Sequence, residues 1–169
     1  MSFEIFITKN LTYVKMGFTV NYVKRLRKRL LMCIGGNTMK VNGILNSDVS
    51  RVLSYMRHTD LICIGDCGLP CPESVELIDL SVSKNLPSFL QVLDAILSDY
   101  KAEKIFLAKE IEDNNPQILK EIDKRLGDVP CTFISHDELK ENLSKCKAVI
   151  RTGEMTPYAN IILQSACIF

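Results

Sequence analysis

The chain has no tryptophan, only two histidines among its 169 residues, and no long hydrophobic run. No stretch approaches the roughly 20 apolar residues that a membrane-spanning helix needs, so we expect no membrane partner. The phosphate-binding patterns GxGxxG and GxxxxGK[ST] are missing, which removes the usual nucleotide-binding motifs. Residues 39–169 carry a net charge of −5, and because this mildly acidic composition argues against a nucleic-acid surface, we expect no nucleic-acid partner.

The first 38 residues differ in charge from the rest of the chain. They carry seven Lys/Arg against one Glu, a net charge of +6, whereas residues 39–169 carry fourteen Lys/Arg against nineteen Asp/Glu, a net charge of −5. The basic cluster at residues 24–29 precedes about five apolar residues, too few for the roughly 7 to 15 of a signal peptide. The remaining interpretations are a nucleic-acid-binding arm or a leader outside the native product. We expect the latter, with residues 39–169 as the domain.

A start at Met39 has a specific argument in its favour. Gly35 and Gly36 stand a few residues before Met39, and Gly-Gly can be encoded by a purine-rich ribosome-binding sequence.

Seven cysteines without a recognisable secretory signal predict reduced thiols in a cytoplasm rather than a disulfide framework. Cys63, Cys67 and Cys71 recur at four-residue spacing. A structural zinc site would need a second pair of Cys or His, and none follows at suitable spacing. Cys63 also falls in an apolar strand pattern, where a small buried side chain is the usual role. We therefore expect no metal.

Apolar periodicity predicts short strands alternating with helices. The predicted helices cover residues 47–58, 88–100, 115–125 and 135–145. The predicted strands cover residues 61–65, 75–80, 104–108, 131–134, 148–150 and 160–168. This alternation predicts an α/β fold, with three α/β/α layers around a mostly parallel or mixed central sheet.

The two histidines, His58 and His136, both fall at element ends. Ser135 and Glu138 fit a capping box, which places His136 at the first helical position, where the helix dipole disfavours a charged ring. His58 follows a helix C-terminus, where the dipole favours the charged ring. Such a pair suits a division between acid and binding roles, although a histidine at either place can equally be an ordinary structural residue.

Tyr158 and Asn160 are two residues apart at the start of the last predicted strand. On an extended segment both side chains point to one face, where a phenol and a carboxamide can hydrogen-bond a small polyhydroxylated ligand. An ordinary closing strand is the alternative interpretation.

Five segments together resemble the D-ribose pyranase family, which are cofactor-free sugar mutarotases related to the fucose mutarotases. They are MKVNGILNSD at residues 39–48, RHTD at 57–60, GDCGLPCP at 65–72, PSFLQVL at 87–93 and RTGEMTPYANIILQ at 151–164. The resemblance covers residues 39–169. Arg57 stands where the family commonly has glycine, and Ala166 and Cys167 replace the more usual Gly-Val.

The resemblance implies particular roles for particular residues. The histidine matched by His58 is the family's catalytic acid, and the aspartate matched by Asp66 binds the sugar beside it. The sugar site also takes the residues matched by His136, Tyr158, Ala159 and Asn160. Lys140, one helical turn beyond His136, could share its face, although a lysine on a polar face is usually only solvated.

We therefore expect a cytoplasmic enzyme that interconverts β-D-ribopyranose and β-D-ribofuranose without a cofactor. A fucose-type mutarotase is the nearest alternative, and a non-catalytic ribose-binding module of a transport system is an alternative from another class. The resemblance further implies a homodecamer of two stacked pentamers, with each site built across a subunit boundary.

Overall fold

The computed structural model describes residues 40–169 and the backbone of two short strands, β1 (Phe6–Thr8) and β2 (Leu11–Tyr13), which pair antiparallel. The chain divides into two units, Met1–Met39 and Lys40–Phe169. The predictions about the leader and about a start at Met39 lie outside the described residues. All that follows concerns the second unit.

The second unit is built on a six-stranded mixed sheet with strand order β4-β7-β3-β8-β5-β6. The strands are β3 (Leu61–Gly65), β4 (Glu76–Asp79), β5 (Ala102–Ala108), β6 (Cys131–Ile134), β7 (Cys146–Arg151) and β8 (Ile161–Ser165). Parallel pairing joins β4 to β7, β7 to β3, and β5 to β6. Only β8 runs antiparallel, between β3 and β5.

Five helices are described in this unit, followed by one 3-10 turn at Leu143–Lys145. They are α1 (Ser47–Tyr55), α2 (Phe89–Leu97), α3 (Ile111–Asn114), α4 (Pro116–Leu126) and α5 (His136–Asn142). Side chains cap four of them at the N-terminus, each accepting a hydrogen bond from a backbone N–H in the first turn; the caps are Asn46, Ser88, Asn115 and Ser135. Each such cap contributes about 1 kcal/mol, so these boundaries follow directly from the sequence.

The two faces of the sheet bury two separate apolar clusters, because successive strand residues point to opposite sides. On β3, Ile62 and Ile64 pack with the buried faces of α1, α2 and α4, whereas Cys63 packs on the other side with Leu139 of α5. Both faces of the sheet are thus covered, and the predicted α/β class with a mixed sheet is confirmed. No helix in the described part of the chain is long and apolar enough to cross a membrane.

Candidate functional site

A polar cleft of about 320 Å³ lies at the sheet edge where the parallel strands end. It is lined by Asp66, Cys67, Gly68, His136, Glu154, Met155, Thr156, Pro157 and Tyr158. Asp66 follows β3, His136 follows β6, and the segment from Glu154 to Tyr158 joins β7 to β8. In open α/β sheets this edge is where ligands bind, because loops from several strands converge there.

Asp66 is held by hydrogen bonds to both of its carboxylate oxygens. Asn160 Nδ2 donates to Oδ2 at 2.9 Å, and the Gly68 N–H donates to Oδ1 at 2.9 Å. The Asp66 N–H in turn donates to Asn160 Oδ1 at 2.8 Å, so the amide and the aspartate form a reciprocal pair. A Cβ on Gly65 would clash with Leu69 and approach Asn160 Oδ1 to 3.0 Å, so this close approach requires glycine.

Tyr158 and His136 meet edge to face across the cleft, with ring centroids 5.1 Å apart and an interplanar angle of 83°. The backbone N–H of His136 donates to both carboxylate oxygens of Glu110 at 3.0 and 3.1 Å, and this hydrogen bond lowers the pKa of Glu110. Among the described residues, His136 Nδ1 is buried without a hydrogen-bond partner. A buried polar atom at a cleft wall is available to a ligand hydroxyl.

Glu154 fixes the loop that carries Tyr158. Its buried carboxylate accepts hydrogen bonds from the N–H groups of Phe89, Met155 and Thr156 and from the Thr156 hydroxyl, at 2.9 to 3.2 Å. Burial alone raises the pKa of Glu154, but these hydrogen bonds outweigh it and the pKa lies below the usual value. A charged carboxylate therefore ties the loop to the N-terminus of α2, where the helix dipole favours negative charge.

The prediction that Tyr158 to Asn160 form an extended segment is wrong. Tyr158 has a left-handed φ of 60° and lies in a turn, and β8 begins only at Ile161. The two side chains therefore do different things: Tyr158 is half-buried in the cleft wall, whereas Asn160 is fully buried against Asp66. Ala159 between them is also fully buried, in the apolar cluster beneath.

His58 does not lie in the cleft of its own chain. It precedes β3 whereas Asp66 follows β3, so the length of the strand, about 13 Å at 3.3 Å per residue, separates them. The His58 ring is about half exposed, and its Nε2 lies 2.8 Å from Glu103 Oε2. Lys140 is also outside the cleft lining and pairs with Asp137 at 3.1 Å. The family resemblance had indicated His58 as the acid. The sequence patterns gave no sign of its neighbour Glu103 or of the contacts by which Glu154 anchors the loop.

A second groove of about 400 Å³ lies between α1 and α2 and is lined mainly by apolar side chains. A polyhydroxylated ligand needs hydrogen-bond partners, so the polar cleft is the better candidate site. Within the described residues, no group of three or more His, Cys, Asp or Glu side chains is arranged to hold a metal ion.

Taken together, the doubly covered mixed sheet and a polar cleft at the ends of its strands define an α/β protein with a candidate binding site for a small polar ligand. The sequence identifies the family: residues 39–168 match the RbsD / FucU transport protein family, and the chain belongs to that family. The resemblance drawn from the five sequence segments is thereby confirmed.

The chain is 53% identical to the D-ribose pyranase of Clostridium tetani and 51% identical to that of Lactiplantibacillus plantarum. Each alignment spans 131 residues, 78% of this chain and all of the relative. Among solved structures, Bacillus subtilis RbsD complexed with D-ribose is 41% identical with a TM-score of 0.76, over 78% of this chain and 100% of that one. A fucose mutarotase from Streptococcus pneumoniae in complex with L-fucose is 24% identical with a TM-score of 0.63, over 73% of this chain and 94% of that one, and shares the fold.

Proposed function

We propose that this protein is a D-ribose pyranase, a mutarotase that interconverts the pyranose and furanose forms of D-ribose. The observation that carries the proposal is the cleft, in which a fixed carboxylate, an imidazole and a phenol converge at one sheet edge. Identity above 50% to D-ribose pyranases along their whole length supports ribose as the sugar. The lower identity to the fucose mutarotase makes the fucose-type alternative the weaker one.

The reaction needs proton transfers and no redox step. A proton leaves the anomeric hydroxyl, another reaches the ring oxygen, and the C–O ring bond breaks to give an open-chain aldehyde. A different hydroxyl then attacks the aldehyde carbon and loses its proton, while the carbonyl oxygen gains a proton, which closes the other ring. An imidazole can carry out these transfers near neutral pH, which typically accelerates a reaction by about 10²- to 10⁴-fold.

The proposed roles follow the chemistry of each side chain. His58 donates the proton to the ring oxygen, and Asp66 binds sugar hydroxyls through the acceptor capacity left on its carboxylate. His136 and Tyr158 hold the remaining hydroxyls, while Ala159 and Asn160 form the back of the site behind them. Holding the open chain in this way favours reclosure over release.

We infer that two copies of the chain build each site. His58 and Asp66 lie at opposite ends of β3, so we do not expect one chain to present both to the same sugar. A head-to-tail ring of subunits brings one end of each sheet to the other end of its neighbour. We propose a homodecamer of two stacked pentamers, with His58 of one subunit completing the cleft of the next.

We also propose a cytoplasmic location. All six cysteines within residues 40–169 have free thiols, which suits a reducing compartment. Two of them, Cys63 and Cys146, are buried, and burial raises the pKa of each thiol and keeps it protonated.

D-ribose is expected to bind in excess chelator with no nucleotide present, because every group assigned to the site is a protein side chain. Calorimetry measures the binding, and saturation-transfer NMR measures exchange between ribose forms with and without the protein. L-fucose is the matched ligand control. A strict metal requirement, or faster exchange of fucose than of ribose, contradicts the assignment.

Subunits that dissociate on dilution are expected to lose activity, since each then holds half a site. A sharper measurement mixes subunits of two variants, His58→Ala and Asp66→Ala, each of which is expected to be inactive alone. Subunits exchanged at equal amounts should recover about one quarter of the parent rate, because one site in four pairs an intact His58 with an intact Asp66 across a boundary. Sedimentation confirms the mixed assembly. No recovery in mixed oligomers, or a fully active monomer, refutes the shared site.

A further inference from the structure

The backbone around His58 is fixed at the end of β8. The Thr59 N–H donates to the Ser165 carbonyl at 3.1 Å, and the Ser165 N–H donates to the Asp60 carbonyl at 2.9 Å. Thr59 itself has a left-handed φ of 68°, which turns the chain sharply beside the histidine. The position of the His58 backbone is thus set by β8, and only the rotation of the ring remains to be determined.

The Glu103 carboxylate contacts that ring. One carboxylate oxygen, Oε2, lies 2.8 Å from His58 Nε2, and the other, Oε1, accepts a hydrogen bond from Gln164 Nε2 at 3.0 Å. The carboxylate is about two-thirds buried, while the His58 ring is about half exposed. Each oxygen therefore has its own partner, and the carboxylate is held between a fixed strand residue and the imidazole.

A β-bulge places Glu103 there. In the pairing of β5 with β8, Ala102 faces Ser165 and Lys104 faces Gln164, so Glu103 is an extra residue without a partner of its own. A bulge changes the direction of a side chain relative to the regular alternation, and bulges occur often beside active sites. The bulge and the paired carboxylate are independent observations that concern the same residue.

We propose that Glu103 is the positioning residue for His58 and that Nδ1 is the nitrogen that exchanges protons with the sugar. An ionised carboxylate only accepts hydrogen bonds, so the neutral ring must keep its proton on Nε2. The lone pair is then on Nδ1, and in the charged ring the Nδ1–H is the one left free to donate. This inference rests on the proposed function, because it assigns the partner of the same acid.

An exposed ion pair with no such role contributes little to stability, so stability cannot test the proposal. Glu103→Gln keeps the size of the side chain and removes its charge. We expect the maximal exchange rate to fall about 10- to 100-fold, the range typical of lost orienting partners, with ribose affinity within about twofold of the parent. Asp94→Asn is the control, since Asp94 is an exposed carboxylate paired with Arg125 rather than with His58.

The double variant His58→Ala/Glu103→Gln separates positioning from an independent role. If Glu103 acts only through His58, the double variant is no slower than His58→Ala. A slower double variant, or Glu103→Gln at the parent rate beside a slow His58→Ala, overturns this inference and leaves the proposed function intact. If His58→Ala itself keeps the parent rate, the proposed mechanism fails and this inference falls with it.

An NMR spectrum of the parent protein also tests the proposal, without a substitution at His58 or Glu103. With ¹⁵N-labelled histidine, the chain gives only two imidazoles, and His136→Gln assigns them. At a pH where the His58 ring is neutral, long-range ¹H–¹⁵N correlations should show the proton on Nε2. A proton on Nδ1 instead overturns the proposal, whatever Glu103→Gln does to folding.

Discussion

His58→Ala is expected to slow exchange between the ribose forms by about 100-fold or more at saturating sugar, while ribose affinity changes little. The physical reason is the loss of the group that protonates the ring oxygen, a contribution made in the transition state rather than in the bound sugar. Saturation-transfer NMR on the ribose forms, at matched site occupancy, measures it.

His136→Ala is the matched comparison and should do the reverse. His136 belongs to the wall of the cleft and contacts Tyr158, so its loss should weaken binding more than it slows the bound sugar. If His58→Ala keeps the parent's exchange rate and still binds ribose, the non-catalytic binding module becomes the better interpretation.

Glu154→Gln is expected to lower the free energy of unfolding by about 2 to 3 kcal/mol at pH 7, because one amide cannot satisfy donors that converge on both carboxylate oxygens. Ribose affinity should fall as well, since the same carboxylate holds the loop of Tyr158. Denaturation at matched protein concentration measures the first effect. Glu112→Gln, at an exposed helical position, is the control and should change little.

The difference in unfolding free energy between the parent and Glu154→Gln depends on pH with a definite sign. The folded pKa of Glu154 lies below the usual value, so its stabilising effect is fully present above the unfolded pKa and is lost as pH falls through the folded pKa. The difference between parent and Glu154→Gln should thus narrow only below about pH 4. A gap that is constant down to pH 2, or that widens as pH falls, contradicts a charged Glu154.

Local sequence rules predicted the elements where capping and apolar spacing agree. Ser88, Asn115 and Ser135 stand at the predicted starts of three helices and cap them, and β3 and β6 have the predicted bounds. Helix α3 was missed because four residues are too few for a period to emerge.

The site was less predictable because it depends on contacts between distant parts of the chain. Nothing in the sequence pattern marks the left-handed Tyr158 or shows that the Asn160 amide pairs with Asp66. Glu103 was missed because the strand was expected to begin at Lys104 and because a bulge has no period of its own. The separation of His58 from Asp66 is different, because β3 lies between them and has its predicted bounds, so the sequence already implied it.

The antiparallel strand β8 has a consequence for when the site can form. The sheet consists of two parallel blocks, β4-β7-β3 and β5-β6, and β8 alone joins them. Because β8 follows every other strand in sequence, strand pairing cannot join the two blocks during synthesis until these residues have been made, and such long-range closure is a slow step of folding. The Asn160 amide that pairs with Asp66 lies directly before β8, so we expect this pairing and the proposed sugar site to form only once β8 closes the sheet. A chain without β8 exposes two unpaired strand edges, one on β3 and one on β5.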